Sequence, residues 1–261
     1  MLGIRPRALG LLLVTVLVAG CSNRLFFDDF EGYAPGSAVG GGTPPPPAGD
    51  SIVTQGSPEN FSIGSADAIA GQLSLQLERG FDTNPNDDDP CPPPAEDPLC
   101  QQPFVLFFVP EAASPTADAI LYTWRGRYFP DGPDPVLEFA LFQPGTFFAT
   151  RLRLAVHRDH LTVIEGITEM AELPLDFRRR HRIILRLDPG TLDYAVQVTD
   201  DDQEAPPNDV AACTLATVAC GTLEPSEGVP PARWLLRIAY ALEGVAPDSR
   251  YVMDSAVIWE R

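Results

Sequence analysis

The chain has 261 residues, with 18 basic against 36 acidic side chains and a formal charge of −18. Every basic residue is an arginine. Binding to nucleic acid through bulk charge is excluded, because attraction to phosphates needs a surplus of clustered Lys and Arg. The length accommodates one large β-sandwich or two small domains.

The first element in chain order is a leader. Arg5 and Arg7 precede an uncharged apolar run over residues 8–17. Such a run is too short to cross about 30 Å of hydrocarbon as a helix. A basic start, a short apolar core and small residues before the end describe a secretory signal, here residues 1–20. The ending Val18-Ala19-Gly20-Cys21 resembles a bacterial lipobox. The resemblance implies that Cys21 becomes the first mature residue and carries lipid. Several acyl chains anchor a protein stably, at about 0.8 kcal/mol per buried methylene. Ser22 follows, and in lipoproteins of Gram-negative bacteria a residue other than Asp there goes with the outer membrane. Loss of Arg5 and Arg7 with the leader leaves 16 arginines against 36 acids.

The remaining residues divide into 21–24, the anchored N-terminus, and 25–261, one folded unit. Residues 40–49 are rich in Gly and Pro and read as a loop within that unit. Period-two alternation then dominates. Leu73, Leu75 and Leu77 alternate with polar residues, and residues 103–109 read as a strand buried on both faces. Residues 119–129 place Ile120, Tyr122, Trp124 and Tyr128 on one side. Leu121, Thr123, Arg125 and Arg127 fall on the other. Further strands are expected over 136–142, 147–157, 160–165, 182–187, 193–199, 234–242 and 250–259. Pro/Gly/Asp turns such as Asp188-Pro189-Gly190 separate them. No long amphipathic helix is present; residues 168–173 suit a single helical turn. Many short strands with regular turns predict an all-β, two-sheet antiparallel sandwich of jelly-roll type.

With Cys21 set aside for lipid, four cysteines remain in a secreted chain, which predicts disulfides. Three connectivities are possible. Short spacing favours Cys91–Cys100 and Cys213–Cys220, each clipping an acidic, Pro-rich loop.

Near the start stands Phe27-Asp28-Asp29-Phe30-Glu31-Gly32-Tyr33, followed by Pro35-Gly36. At the end stands Tyr251-Val252-Met253-Asp254-Ser255-Ala256-Val257-Ile258. Together, at opposite ends of one all-β chain, the two segments resemble the concanavalin A-like lectin/glucanase superfamily, with its laminin-G-like and carbohydrate-binding jelly-roll modules. In those folds the opening and closing strands often lie side by side. The resemblance also implies a structural Ca²⁺ ion held by Glu31 and Asp254, with Asp29 placed beside Glu31 by strand alternation. Hard oxygen ligands from separate segments suit that ion. The plainer reading is that these acids cap strand ends.

Glucanases of that superfamily carry closely spaced carboxylates on one strand, and a retaining mechanism needs them about 5–5.5 Å apart. The nearest candidates, Glu165, Glu169 and Glu172, lack the middle acid and read as a turn around Gly166. No nucleophile elbow, zinc helix or phosphate loop is present. His157 and His160 face each other across Arg158-Asp159, a polar hairpin end without an evident third metal ligand. His181 sits among Arg178–Arg182, read as a solvated approach to a strand rather than a patch for anionic headgroups or glycans. Tyr122, Trp124 and Tyr128 are the first candidates for stacking against a sugar, although such a stripe is more often core. The expectation is a non-catalytic envelope lipoprotein that binds a glycan or an envelope protein. A glycan-degrading hydrolase of the same fold and a purely structural envelope protein are the alternatives.

Overall fold

The computed structural model describes residues 23–36, 51–55, 61–65, 68–69, 71–78, 105–109, 113–114, 116–129, 137–142, 150–201, 210–211, 213–224, 235–240 and 250–261. The leader, Cys21, Cys91 and Cys100 lie outside the described residues. Among the described residues fifteen strands run in order: β1 (Asn23–Asp28), β2 (Ser51–Gln55), β3 (Phe61–Gly64), β4 (Ser74–Glu78), β5 (Val105–Val109), β6 (Ile120–Phe129), β7 (Leu137–Phe142), β8 (Thr150–Val156), β9 (His160–Glu165), β10 (Thr168–Pro174), β11 (His181–Leu187), β12 (Asp193–Asp200), β13 (Val218–Thr222), β14 (Leu235–Tyr240) and β15 (Arg250–Glu260). The described residues contain no helix.

The strands form two antiparallel sheets, as the alternation predicts. One has eight strands in the order β13-β12-β11-β6-β15-β4-β3, with β1 added on β15. The other has seven, in the order β10-β9-β8-β7-β14-β5-β2. The opening and closing strands lie side by side, Phe26 opposite Ile258 and Asp28 opposite Ala256.

The inner faces interdigitate through aromatic pairs that span the two sheets. Phe26 of β1 meets Phe108 of β5 with ring centroids 4.9 Å apart. Trp124 of β6 meets Phe139 of β7 at 4.5 Å. One bulge keeps this face continuous. On β15 the register against β6 shifts by one between Asp254 and Val257, and Ser255 takes a φ of +51°. Tyr251 and Met253 before the bulge, and Ala256 and Ile258 after it, are thereby all buried in the core. In a regular strand of this same sequence, without the bulge, the two halves of β15 would present opposite faces.

The segment expected to make one helical turn is instead strand β10. It pairs with β9 across a two-residue connection, Glu165 opposite Thr168. As an edge strand it is exposed along most of its length, so it lacks the buried alternation that marks the central strands.

Candidate functional site

Tyr122, Trp124 and Tyr128 are each 0 % exposed. This corrects the stacking expectation. Strand β6 lies inside the eight-stranded sheet, its inner face is covered by the other sheet, and no sugar reaches the three rings. They belong to the core.

The acids assigned to calcium separate. Strand β1 ends at Asp28, so strand alternation does not govern Asp29 and Glu31. Phe30 takes a φ of +61°, and Asp29 Oδ1 accepts the Glu31 N–H at 3.2 Å in a local turn. Glu31 Oε1 accepts the backbone N–H groups of Gln72 and Leu73 at 2.7 and 2.9 Å. It thereby fastens the opening turn to the start of β4. Gly71 makes this approach possible: a Cβ there would fall 2.1 Å from Glu31 Oε1. Asp254 is buried on the outer face of β15, opposite Arg125. Ser255 Oγ donates to its Oδ1 at 3.1 Å. Among the described residues no group of three or more His, Cys, Asp or Glu is gathered to hold an ion. Glu31, Asp29 and Asp254 therefore do not fit a common calcium site. Asp28 takes the structural role beside them: its Oδ1 accepts the Phe30 N–H at 2.7 Å and its Oδ2 the Tyr33 hydroxyl at 2.8 Å.

The carboxylates weighed for hydrolysis are also apart in role. Glu165 closes the β9–β10 hairpin, while Glu169 and Glu172 are exposed on the edge strand. Glu165 Oε1 and the Tyr194 hydroxyl are buried without a well-formed hydrogen bond. Both lie over Gly221, where a Cβ would fall 2.4 and 2.6 Å from them. Burial, and then the Glu165 carboxylate, push the Tyr194 phenol above its ordinary pKa.

A hollow of about 490 Å³ lies at this end of the eight-stranded sheet. Its lining includes Arg186, Asp188, Asp193, Thr222 and the Cys213–Cys220 pair. Arg186, Ala195 and Cys220 stand in register on β11, β12 and β13, so the three share a face. The expected Cys213–Cys220 disulfide is present, with its Cα atoms 5.8 Å apart. The ring it closes contains neither acid nor proline, contrary to expectation. It ties the segment before β13 onto that strand and forms one wall of the hollow. The Asp188–Asp193 turn supplies another. Asp188 Oδ1 accepts the N–H groups of Gly190 and Thr191 at 2.8 and 3.0 Å. Asp193 accepts the hydroxyls of Thr222 and Thr191, which hold its carboxyl below the usual range. Arg186 has no carboxylate partner among the described residues. The rim thus combines a guanidinium with ionised carboxylate and hydroxyl groups on fixed strands. Sequence reasoning missed it. The outward phase of Arg182 and Arg186 on one strand was a usable signal, but Thr222 needed strand β13 to be recognised.

At the other end of the same sheet, His181 is not solvated, which corrects a second expectation. It is 0 % exposed and packs edge-on against Phe177. Nδ1 lies 3.0 Å from the Arg179 carbonyl and Nε2 2.8 Å from the Tyr251 hydroxyl. A carbonyl only accepts, so Nδ1 carries the proton and Nε2 accepts from tyrosine. Burial lowers its pKa to about 4. His157 and His160 do face each other, with rings stacked at 4.2 Å. Asp159 bonds His160 Nδ1 at 2.7 Å, and that bond holds the Asp159 carboxyl below its usual range.

No family model matches the chain, and no curated protein matches it. Among solved structures it is similar to lectin II from Ulex europaeus, at 10% identity, with 93% of this chain and 99% of that chain covered and a TM-score of 0.49. It is similar to arcelin-5, a lectin-like defense protein from Phaseolus vulgaris, at 12% identity, with 82% and 94% covered and a TM-score of 0.45. It is also similar to the exoplasmic/lumenal domain of VIP36 in a Ca2+/Man3GlcNAc-bound form, at 11% identity, with 80% and 83% covered and a TM-score of 0.43.

Proposed function

We propose that the chain is a lipid-anchored, non-catalytic carbohydrate-binding sandwich of the bacterial outer membrane. The hollow beside the Cys213–Cys220 bridge carries this reading. Ligand sites are concave, commonly about 300–1,000 Å³, and hold a few convergent polar groups. This one measures about 490 Å³ and is rimmed by Arg186, Asp188, Asp193 and Thr222. Sugar hydroxyls both donate and accept, which suits a rim that offers guanidinium donors and carboxylate acceptors. The same rim suits catalysis poorly. A general acid at neutral pH needs a raised carboxyl pKa, whereas Asp193 is held low by its hydroxyl donors.

The anchor rests on the Val18-Ala19-Gly20-Cys21 motif. Metabolic labelling with a fatty-acid analogue will mark the wild-type protein and not Cys21→Ser; equal labelling of both defeats the anchor. The glycan reading is tested on the chain from Ser22 onward, which holds every described strand. A glycan array, run with and without calcium, will give neutral-glycan binding that is lost in Arg186→Ala. An array on which nothing binds rejects it.

A further inference from the structure

We infer that the arginine-rich end of the eight-stranded sheet, opposite the hollow, is a docking face for an acidic polysaccharide on the side turned away from the anchoring membrane. The inference rests on the lipid-anchored, glycan-binding reading above and adds a second surface and ligand class.

Seven of the 18 arginines of this acidic chain collect here. Arg125 and Arg127 lie on the outward face of β6. Arg182 of β11 is in register with Arg125, and Arg250 of β15 is in register with Phe129. The turn before β11 adds residues 178–180. Part of this charge is compensated. Asp201 bridges Arg125 and Arg182 at 2.9 and 3.0 Å, Asp176 pairs with Arg178 and Arg179 at 2.8 and 3.7 Å, Asp254 stands opposite Arg125, and exposed Asp200 stands opposite His181. Arg127 and Arg180 have no carboxylate partner among the described residues. The Arg127 and Arg250 guanidinium groups both lie over the Phe129 ring, at 4.5 and 4.6 Å. That stacking orients the planar donors.

The display is fixed by the core. Phe177 is fully buried beneath the turn. Its N–H donates to the Arg158 carbonyl at 2.9 Å, and its carbonyl accepts the Tyr128 N–H at 2.9 Å. Arg127 Nε donates to the Arg178 carbonyl at 2.8 Å, tying the turn to β6. The guanidinium groups are therefore held in place before any ligand arrives, which lowers the entropy cost of binding.

Position and charge select the partner. One residue, Ser22, separates Cys21 from β1, and two residue steps span at most about 7 Å. The lipid thus holds the Asn23 end of β1 close to its membrane. Asn23 pairs with Glu260, the far end of β15 from Arg250. Ten residue steps of about 3.3 Å put the arginine face roughly 30 Å from that end. The headgroups of the anchoring membrane lie on the wrong side. A broad anionic body, whether bilayer or duplex nucleic acid, would also meet the acidic remainder of the chain. A slender chain bearing a carboxylate on each sugar touches the patch alone, and planar guanidinium groups pair with carboxylates two bonds at a time.

The probe is polygalacturonate, titrated against the chain from Ser22 onward. Binding is expected, weakening steeply with added sodium chloride. The double variant Arg127→Ala/Arg180→Ala should bind about tenfold more weakly, a loss of about 1.4 kcal/mol. Arg127→Ala also removes the bond to the Arg178 carbonyl; Arg180→Ala alone, which leaves that bond and the stacked cluster in place, should show a smaller loss at an unchanged melting temperature. Absence of polygalacturonate binding, or equal binding by the double variant, overturns the inference. So does equal binding to vesicles of phosphatidylcholine and phosphatidylglycerol, or to duplex DNA. If neutral glycans bind the wild type and not Arg186→Ala while polygalacturonate is ignored, this second surface falls and the hollow stands.

Discussion

Acid should weaken the fold through one buried imidazole. His181 is fully buried, with its pKa lowered to about 4 by desolvation from an ordinary value of 6.5. The unfolded chain therefore takes up the proton first. The contribution is complete above the unfolded pKa and is lost as pH falls from about 6.5 toward 4. At pH 5 the unfolded state is almost wholly protonated at this site and the folded state hardly at all. The linkage then amounts to about 2 kcal/mol relative to pH 7. For a chain of this size that lowers the melting temperature by about 5 °C. Calorimetry at pH 7 and pH 5 on wild type and His181→Gln separates this group from others. The variant should be less stable at pH 7, because it disturbs the contacts to Tyr251 and Arg179, and should fall less between the two pH values. Equal falls in both proteins would show that His181 is not held neutral by burial.

Other expectations concern close approaches and staples. A Cβ on Gly126 would fall 1.7 Å from the Tyr251 hydroxyl, so Gly126→Ala should cost about 1–3 kcal/mol in urea unfolding by overpacking; a neutral result would mean the ring moves freely. Glu31→Ala removes the oxygen that accepts the Gln72 and Leu73 N–H groups and should cost about 1 kcal/mol equally in calcium and in chelator. A loss seen only with calcium would restore a metal role. Replacing Cys213 and Cys220 together by Ser should cost about 2.5 kcal/mol by loop entropy, read from the denaturation midpoint without reductant. An unchanged midpoint would show that the unfolded chain is not constrained there.

The central strands were legible because each has one buried face. Strand β6 alternates almost without fault, and β15 does so on either side of its bulge. The short strands β2, β3 and β13 escaped notice, since four or five residues hold too few periods to stand out. Strand β10 was misread because an edge strand exposed along most of its length carries little period-two signal. The aromatic stripe Tyr122, Trp124 and Tyr128 shows where sequence pattern stops. Alternation gives one face its rings, but only the second sheet, built from residues distant in the chain, makes that face a core. His181 failed for the opposite reason. Its arginine neighbours suggested water, while Phe177, four residues earlier, turns the chain inward and buries it. The hollow was the least legible feature. Its rim joins a turn between β11 and β12 to an edge strand and a disulfide, and no local pattern announces that meeting.

The most direct measurement of the central claim is titration calorimetry of a neutral oligosaccharide, chosen from the glycan array, into the chain from Ser22 onward and into Asp193→Ala. The hollow predicts saturable one-to-one binding to wild type and at least about a tenfold loss in the variant, roughly 1.4 kcal/mol for one charge-assisted contact. Undiminished binding by Asp193→Ala, with both proteins folded, would place the glycan elsewhere and contradict the account.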